Sequence, residues 1–231
     1  VAVVGASGVG KSSLLQAGVV PVLLDGAGAQ WTVVSIRPRP TMTLALAAGF
    51  ARAASPGAAV SPAELDRWEQ RILRDGLAPA ALRLCASTGT DRLLVLVDQL
   101  EEAVADDSSE FAAVLNQLAE FADREGAATA AVVALREDAF GTFFVRHPAF
   151  GEKLRQNAIA LRGMDADELA QVISRPAALR NVVVRPQLVA QLARDAGDRP
   201  GILPLLEFSL DQMWQTLRPG QTELSFDAYA E

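Results

Sequence analysis

Apolar runs and helix-spaced segments alternate along the chain. Strand-like runs stand at VAVVG (1–5), WTVVSI (31–36), DRLLVLVD (91–98), AAVVALR (130–136) and NAIALR (157–162). Nearly unbroken apolar strands separated by helices mark a parallel sheet covered on both faces, so the pattern predicts an α/β fold. Helix starts are marked as well. SPAE (61–64) joins an N-cap Ser, a first-turn Pro and a Glu at the third position, and Asp107 with Glu110 and Asp165 with Glu168 repeat the box. KSSLLQAGVVPVLL (11–24) has the apolar content of a helix packed on a sheet.

After residue 163 the pattern changes. DADELAQVIS, QLVAQLARDAG and ILPLLEFSLDQMWQTL keep helical spacing, and no further five-residue strand follows. The expected organisation is a core over 1–162 and a small helical subdomain over 163–231, with SFDAYAE (225–231) opening one more element. There is no internal repeat.

With 231 residues, half of them apolar, the chain has material for one full core and a smaller appended one. Its net charge of -7 gives no electrostatic footprint for DNA or RNA, so no direct nucleic-acid binding is expected. A single cysteine, Cys85, excludes an intramolecular disulfide framework and suits a reducing compartment; its setting in ALRLCAS points to core packing. No apolar run approaches the roughly 18–20 residues of a membrane span. A cytoplasmic location is expected. The chain lacks Met at position 1 and begins in a strand, which reads as an internal domain of a longer protein.

Lysine occurs only as Lys11 and Lys153, and Lys11 stands in GASGVGKS (5–12). This string fits G-x-x-x-x-G-K-[ST] between an apolar strand and a helix, the context that gives the motif its meaning. Gly5, Gly8 and Gly10 allow a tight turn that brings backbone N–H groups against phosphate oxygens. Gly5, Ala6, Ser7, Gly8, Val9, Gly10, Lys11, Ser12 and Ser13 are thus the candidate nucleotide-binding stretch. Lys11 serves the outer phosphates and Ser12 offers a hydroxyl to Mg2+. ATP and Mg2+ are the expected cofactors.

LLVLVDQLEE (93–102) is an apolar strand ending in an acid. Asp98 at its tip is a candidate Mg2+ ligand, usually through water in P-loop enzymes; the alternative is a cap on the next helix. Gln99 stands where many hydrolytic ATPases carry Glu, which leaves Glu101 and Glu102 as the nearest acids to activate water, or as solvated acids of a helix start. Arg136 closes AAVVALR. If its strand lies between those of the P-loop and Asp98, Arg136 addresses the terminal phosphate; otherwise it pairs with Glu137 or Asp138 at the surface. Pro204 introduces a strongly apolar helix whose rigid face suits an adenine ring, or simply starts that helix. The sole histidine, His147, makes a zinc site or a His-based catalytic pair implausible, and RHPAF reads as a helix junction. Arg-Pro pairs at 37–38, 39–40, 175–176 and 185–186 read as chain turns without chemistry.

GASGVGKSSLLQAGVVPVL, VDQLEE, LRED with the following F, HPAF and PGILPLLEFSLDQMW, in this order over essentially the whole chain, resemble the novel STAND NTPases of bacteria. These are signal-transduction ATPases with numerous domains, often joined to WD-type repeats. The resemblance implies an AAA-related P-loop NTPase core of three layers with parallel sheet order 5-1-4-3-2, followed by a helical lid, acting as a nucleotide-controlled switch. It assigns Lys11 and Ser12 to the P-loop, Asp98 with Glu101 or Glu102 to the acidic motif, Arg136 to the sensor and Pro204 to the adenine contact. In the related DGxDE pattern the final acid aligns with Glu102, which makes it the favoured base. The family's base-holding segment is expected ahead of residue 1 and its winged helix after residue 231. The sensor region reads REDAFG where the family pattern is nearer RADFYG.

The reading that results is an ATP-binding, slowly hydrolysing switch whose self-association acts through flanking sensor and effector domains. Its alternative is an AAA-type ATPase module of a DNA-binding or transcription regulator. A small-molecule kinase would need an acceptor pocket and an arginine-bearing lid, and 163–231 shows apolar helical spacing instead. A transporter ATPase would carry an LSGGQ-like signature, and none occurs.

Overall fold

The computed structural model describes the chain except residues 27, 123–128, 198–200, 219 and 226–231, and except the side chains of 121 and 122. All but the first residue of SFDAYAE therefore lies outside the described residues. The chain divides into two compact units, Val1–Gly5 with Lys11–Ala160, and Ala6–Gly10 with Leu161–Glu231.

The first unit is built on five parallel strands: β1 (Ala2–Gly5), β2 (Trp31–Ile36), β3 (Arg92–Val97), β4 (Thr129–Arg136) and β5 (Ala158–Ala160). Their order across the sheet is β2-β3-β4-β1-β5, the 5-1-4-3-2 order read from the opposite edge. β3 is buried from Leu93 to Val97, as an apolar strand covered on both faces must be. β5 is shorter than NAIALR suggests, and its three residues are exposed.

After β1 the chain enters α1 (Lys11–Ser13), a π-helical stretch over Leu14–Val19, and α2 (Val20–Asp25). The sequence reads as one helix here, and Pro21 explains the difference. Proline has no N–H to give the carbonyl four residues back and its ring crowds that carbonyl, so the helix takes in an extra residue. Val20 N–H accordingly bonds to Leu15 O, five residues back. Between β2 and β3 lie α3 (Met42–Ala54), α4 (Pro62–Asp75) and α5 (Leu77–Thr88). A Cβ at Gly49 would stand 2.7 Å from Ile36 Cγ2 and 2.8 Å from Val34 Cγ1, so α3 approaches β2 closely enough to need a glycine. Ser61 and Glu64 make the expected reciprocal cap on α4. Cys85 is buried in α5, and burial pushes its thiol pKa up.

A 3₁₀ turn (Leu100–Ala103) follows β3, then α6 (Ser109–Ala122); α7 (Glu137–Arg146) and α8 (Pro148–Gln156) join β4 to β5. The start of α6 differs from the expected Asp107–Glu110 box. Ser108 Oγ accepts from Phe111 N at 3.1 Å instead, while Asp107 is held by Arg146 at 2.7 Å. The buried face Phe111, Val114, Leu115 and Leu118 sets the rotation of α6, and Ser108 is the residue this leaves at the cap. His147 lies between α7 and α8, the expected junction, with its ring edge-on to Phe111.

The second unit contains α9 (Ala166–Ala178), β6 (Val183–Val184), α10 (Pro186–Ala196), α11 (Leu203–Gln215) and β7 (Glu223–Leu224). Its core gathers Leu169, Ile173, Leu188, Leu192, Leu206 and Met213. Asp165 and Glu168 form the expected capping box on α9. Two features escape the sequence pattern. β6 and β7 pair in parallel over two residues each, too short for any periodicity to reveal. Pro176 lies inside the last turns of α9, so the Arg175–Pro176 pair does not mark a chain turn.

Candidate functional site

β4 lies between β1 and β3, and the C-terminal ends of these three strands bring the candidate residues of the first unit together. Gly5 at the end of β1 is in register with Arg136 at the end of β4. Asp98 follows β3 directly, and its backbone N–H bonds to Ile36 O at 2.9 Å, so β2 ends beside it. In an open parallel sheet this C-terminal edge is where ligands bind.

Ser12 Oγ donates to Asp98 Oδ1 at 2.8 Å. Asp98 is 1% exposed, and its Oδ2 has no hydrogen-bond partner among the described residues. A buried carboxylate oxygen without a partner is costly, about 1–3 kcal/mol or more, and such an atom invites a cation. Arg37 Nε stands 3.9 Å from it. Lys11 is 9% exposed, and its Nζ donates to Gly5 O at 2.8 Å. Burial holds the Lys11 pKa below its ordinary value, while Glu101 and Asp98 act in the opposite direction and Arg136 adds to the lowering.

Gln99 takes the left-handed conformation at φ 57°. A side chain there costs about 1–2 kcal/mol, which accounts physically for the glycine at this place in the DGxDE pattern. The 3₁₀ turn that follows sends the two candidate acids in different directions. Glu101 Oε2 accepts from Arg136 N at 3.2 Å, and among the acids that act on Lys11 its effect is the largest. Glu102 Oε2 lies 2.7 Å from Arg39 Nε, an ion pair without the angle of a hydrogen bond, beside an open cavity of about 560 Å³ that Pro38, Pro40 and Asp106 also line. Glu101 and Glu102, the two nearest acids, thus have different partners. A 3₁₀ turn places successive side chains about 120° apart, and Arg136 and Arg39 fix the separation.

Arg136 is at the strand end the sequence placed it on, and its guanidinium forms a two-pronged pair with Asp138, Nε to Oδ1 at 3.0 Å. Asp138 holds the Arg136 pKa above its ordinary value, and the same hydrogen bonds hold the Asp138 carboxyl below the usual carboxylate value.

In the second unit, Gly8 and Gly10 have φ of +71° and +98°, conformations open to glycine. Gly8 abuts Gly201: a Cβ at Gly8 would stand 2.6 Å from Gly201 Cα. Beside this contact lies a cavity of about 410 Å³ lined by Gly8, Val9, Met164, Leu169, Ile202 and Leu203, with Arg162 and Asp165 supplying polar groups. Pro204 falls outside that lining. It occupies the first turn of α11, and the apolar contribution of PGILPLL comes from the two residues before it.

Sequence reasoning missed Arg37 and Arg39. Their signal was position: RPRP begins where β2 ends, at the functional edge of a parallel sheet. Among the described residues no cluster of three or more His, Cys, Asp or Glu could hold a metal, and no helix is long and apolar enough to cross a membrane.

The fold has solved relatives. The chain is similar to the ORC2 protein of Aeropyrum pernix in its ADPNP–ADP complexes, at a TM-score of 0.69 and 16% identity over 99% of this chain and 60% of that one. It is also similar to the ORC1 protein of Aeropyrum pernix in complex with DNA, at 0.60 and 14% over 99% and 58%. A Walker-type ATPase of Pyrococcus abyssi gives 0.59 and 14% over 93% and 62%. The chain thus spans about three fifths of the length of these proteins. No curated protein matches the sequence significantly. A family model, Novel STAND NTPase 1, matches residues 1–231.

Proposed function

From the premise that the chain belongs to the novel STAND NTPase 1 family, we propose that it is an ATP-binding, slowly hydrolysing module that switches a larger protein between assembly states. The observation that carries this reading is the Ser12–Asp98 hydrogen bond with the buried Asp98 Oδ2 beside it, which has no hydrogen-bond partner among the described residues. Mg2+ demands six oxygens and keeps several waters, so one hydroxyl and one carboxylate suffice when phosphate oxygens supply the rest. The residues present therefore fit Mg2+: Ser12 would hold it directly and Asp98 would hold its water. Bound there, the ion would neutralise charge on the phosphate oxygens.

Lys11 meets the outer phosphates as a point charge, and its depressed pKa is consistent with a burial that a phosphate dianion would relieve. The cavity of the second unit has, by itself, the largely apolar lining and few polar groups of a small-molecule site. For the water-activating acid we favour Glu101 over Glu102. Its carboxylate is electrostatically coupled to Lys11 and hydrogen-bonded at the end of β4, whereas Glu102 is tied to Arg39. Arg136 reads the terminal phosphate once it exchanges Asp138 for phosphate oxygens.

The buried Cys85 suits a reducing cytoplasmic setting. One structural relative is in complex with DNA. At a net charge of -7, nothing in this chain supports extending that property to it.

The test is thermal unfolding with ATP and Mg2+. With ligand at about 100 times its dissociation constant, the parent gains roughly 2.7 kcal/mol and Lys11→Ala gains none. Equal stabilisation of the two proteins by ATP contradicts the assignment.

A further inference from the structure

The RPRP segment leaving β2 carries two arginines whose partners are the acids that follow β3. Ile36 is in register with Val97, so the loop that begins at Arg37 starts alongside Asp98. Arg39 N–H bonds to Arg37 O at 2.8 Å and holds the loop in a tight turn. From that turn Arg37 Nε stands 3.9 Å from Asp98 Oδ2, and Arg39 Nε reaches Glu102 Oε2 at 2.7 Å. The Arg37 side chain is 59% exposed and that of Asp98 2%, so the guanidinium has solvent to turn into while the carboxylate stays buried.

We propose that Arg37 is a displaceable counter-ion: it neutralises the unpartnered oxygen of Asp98 and must yield that oxygen when Mg2+ arrives with a nucleotide. The proposal rests on the reading of Ser12 and Asp98 as the Mg2+ residues. A guanidinium and a divalent cation repel each other, and a single buried carboxylate oxygen does not serve both at full strength. The backbone hydrogen bond from Arg39 N to Arg37 O holds the turn, so the Arg37 side chain can swing out while the loop backbone stays in place. Arg37 is therefore a positioning residue that sets the Mg2+ concentration at which the site becomes competent. A half-exposed ion pair of this length is worth a factor of about two to five in that concentration.

The experiment is calorimetric titration of ADP into the parent, Arg37→Gln and Arg37→Lys at a series of Mg2+ concentrations and in EDTA. Arg37→Gln should reach half-maximal Mg2+ enhancement at a concentration about two to five times lower than the parent, with ADP affinity in EDTA within about twofold of it. Arg37→Lys keeps the charge and should keep the parent's Mg2+ requirement. An unchanged or raised requirement in Arg37→Gln overturns the proposal, as does Arg37→Lys matching Arg37→Gln. A large loss of ADP affinity in EDTA overturns it too, because Arg37 would then be a phosphate ligand. If the parent itself shows no Mg2+-dependent ADP binding, the Mg2+ reading of Ser12 and Asp98 fails first, in a measurement that involves no variant, and the counter-ion role falls with it.

Discussion

Ser12 Oγ and Asp98 Oδ1, 86 positions apart in the chain, are 2.8 Å apart in the fold and joined by a hydrogen bond. The bond links the residue after Lys11 to the residue after β3. Its acceptor is a charged, buried carboxylate, so the bond is worth more than a neutral surface one. Ser12→Ala would leave both oxygens of Asp98 without a donor and should lower the unfolding free energy by about 1–3 kcal/mol; Ser12→Thr keeps the hydroxyl and most of that stability. Urea denaturation of the three proteins checks this. A Ser12→Ala variant as stable as the parent means the bond contributes nothing.

The two acids of the turn should separate in kinetics. Glutamine keeps size and one hydrogen bond but does not take a proton from water. Glu101→Gln should preserve ATP binding and slow single-turnover hydrolysis by about a hundredfold or more. Glu102→Gln should leave the chemical step within a few-fold, because its carboxylate is committed to Arg39. The reverse result would restore the alignment-based choice of Glu102 and show that the turn rearranges when nucleotide binds.

That pair of acids also marks where the sequence stops being legible. β2 was visible residue for residue, because WTVVSI is rich in β-branched and aromatic residues and runs straight into the Arg-Pro pairs that stop it. The strand-to-helix turn at GASGVGKS and the place of Asp98 after β3 were visible because strand ends and glycine spacing are written locally. What Glu101 and Glu102 each face is not local. It depends on Gln99 in the left-handed region, on a turn of 3₁₀ rather than α pitch, and on which strand lies beside which. Arg37 and Arg39 were passed over for the same reason: RPRP reads as punctuation until β2 is known to end next to Asp98. The π-helical stretch after Ser13 follows from Pro21, a residue in plain view whose consequence needs the helix's hydrogen-bond count.

The Arg136–Asp138 pair predicts a pH dependence with a definite sign. Hydrogen bonds from Arg136 lower the Asp138 pKa below its usual 3.8. The folded state therefore binds this proton less readily than the unfolded one. The pair's contribution is fully present above pH 3.8 and is lost as pH falls through the lowered value. Carbon-detected NMR titration should find the Asp138 carboxyl below 3.8 in the parent and back near it in Arg136→Ala. An Asp138 that titrates identically in both proteins would mean the guanidinium does not rest there in solution.

The contact between Gly8 and Gly201 is tested by a series of three glycines in the second unit. Gly8, Gly201 and Gly220 have φ of +71°, +79° and +88°, so alanine is strained at each by a similar amount, about 1 kcal/mol. They differ in what a methyl group meets. At Gly220 it finds nothing within 4 Å, and at Gly201 it meets Ser7 O at 3.5 Å, an ordinary contact. At Gly8 it would lie 2.6 Å from the Gly201 Cα and 3.1 Å from its carbonyl carbon, both backbone atoms that cannot rotate away. Gly8→Ala should therefore cost a further 1–3 kcal/mol or so beyond the other two, as overpacking does. Because the added cost comes from backbone contact and not from a ligand, it should appear without nucleotide. Urea unfolding of the three variants in nucleotide-free buffer should rank Gly8→Ala well below Gly201→Ala and Gly220→Ala. Equal losses at all three would show that the P-loop glycine and the turn before α11 are not in contact, and that only the shared backbone conformation matters.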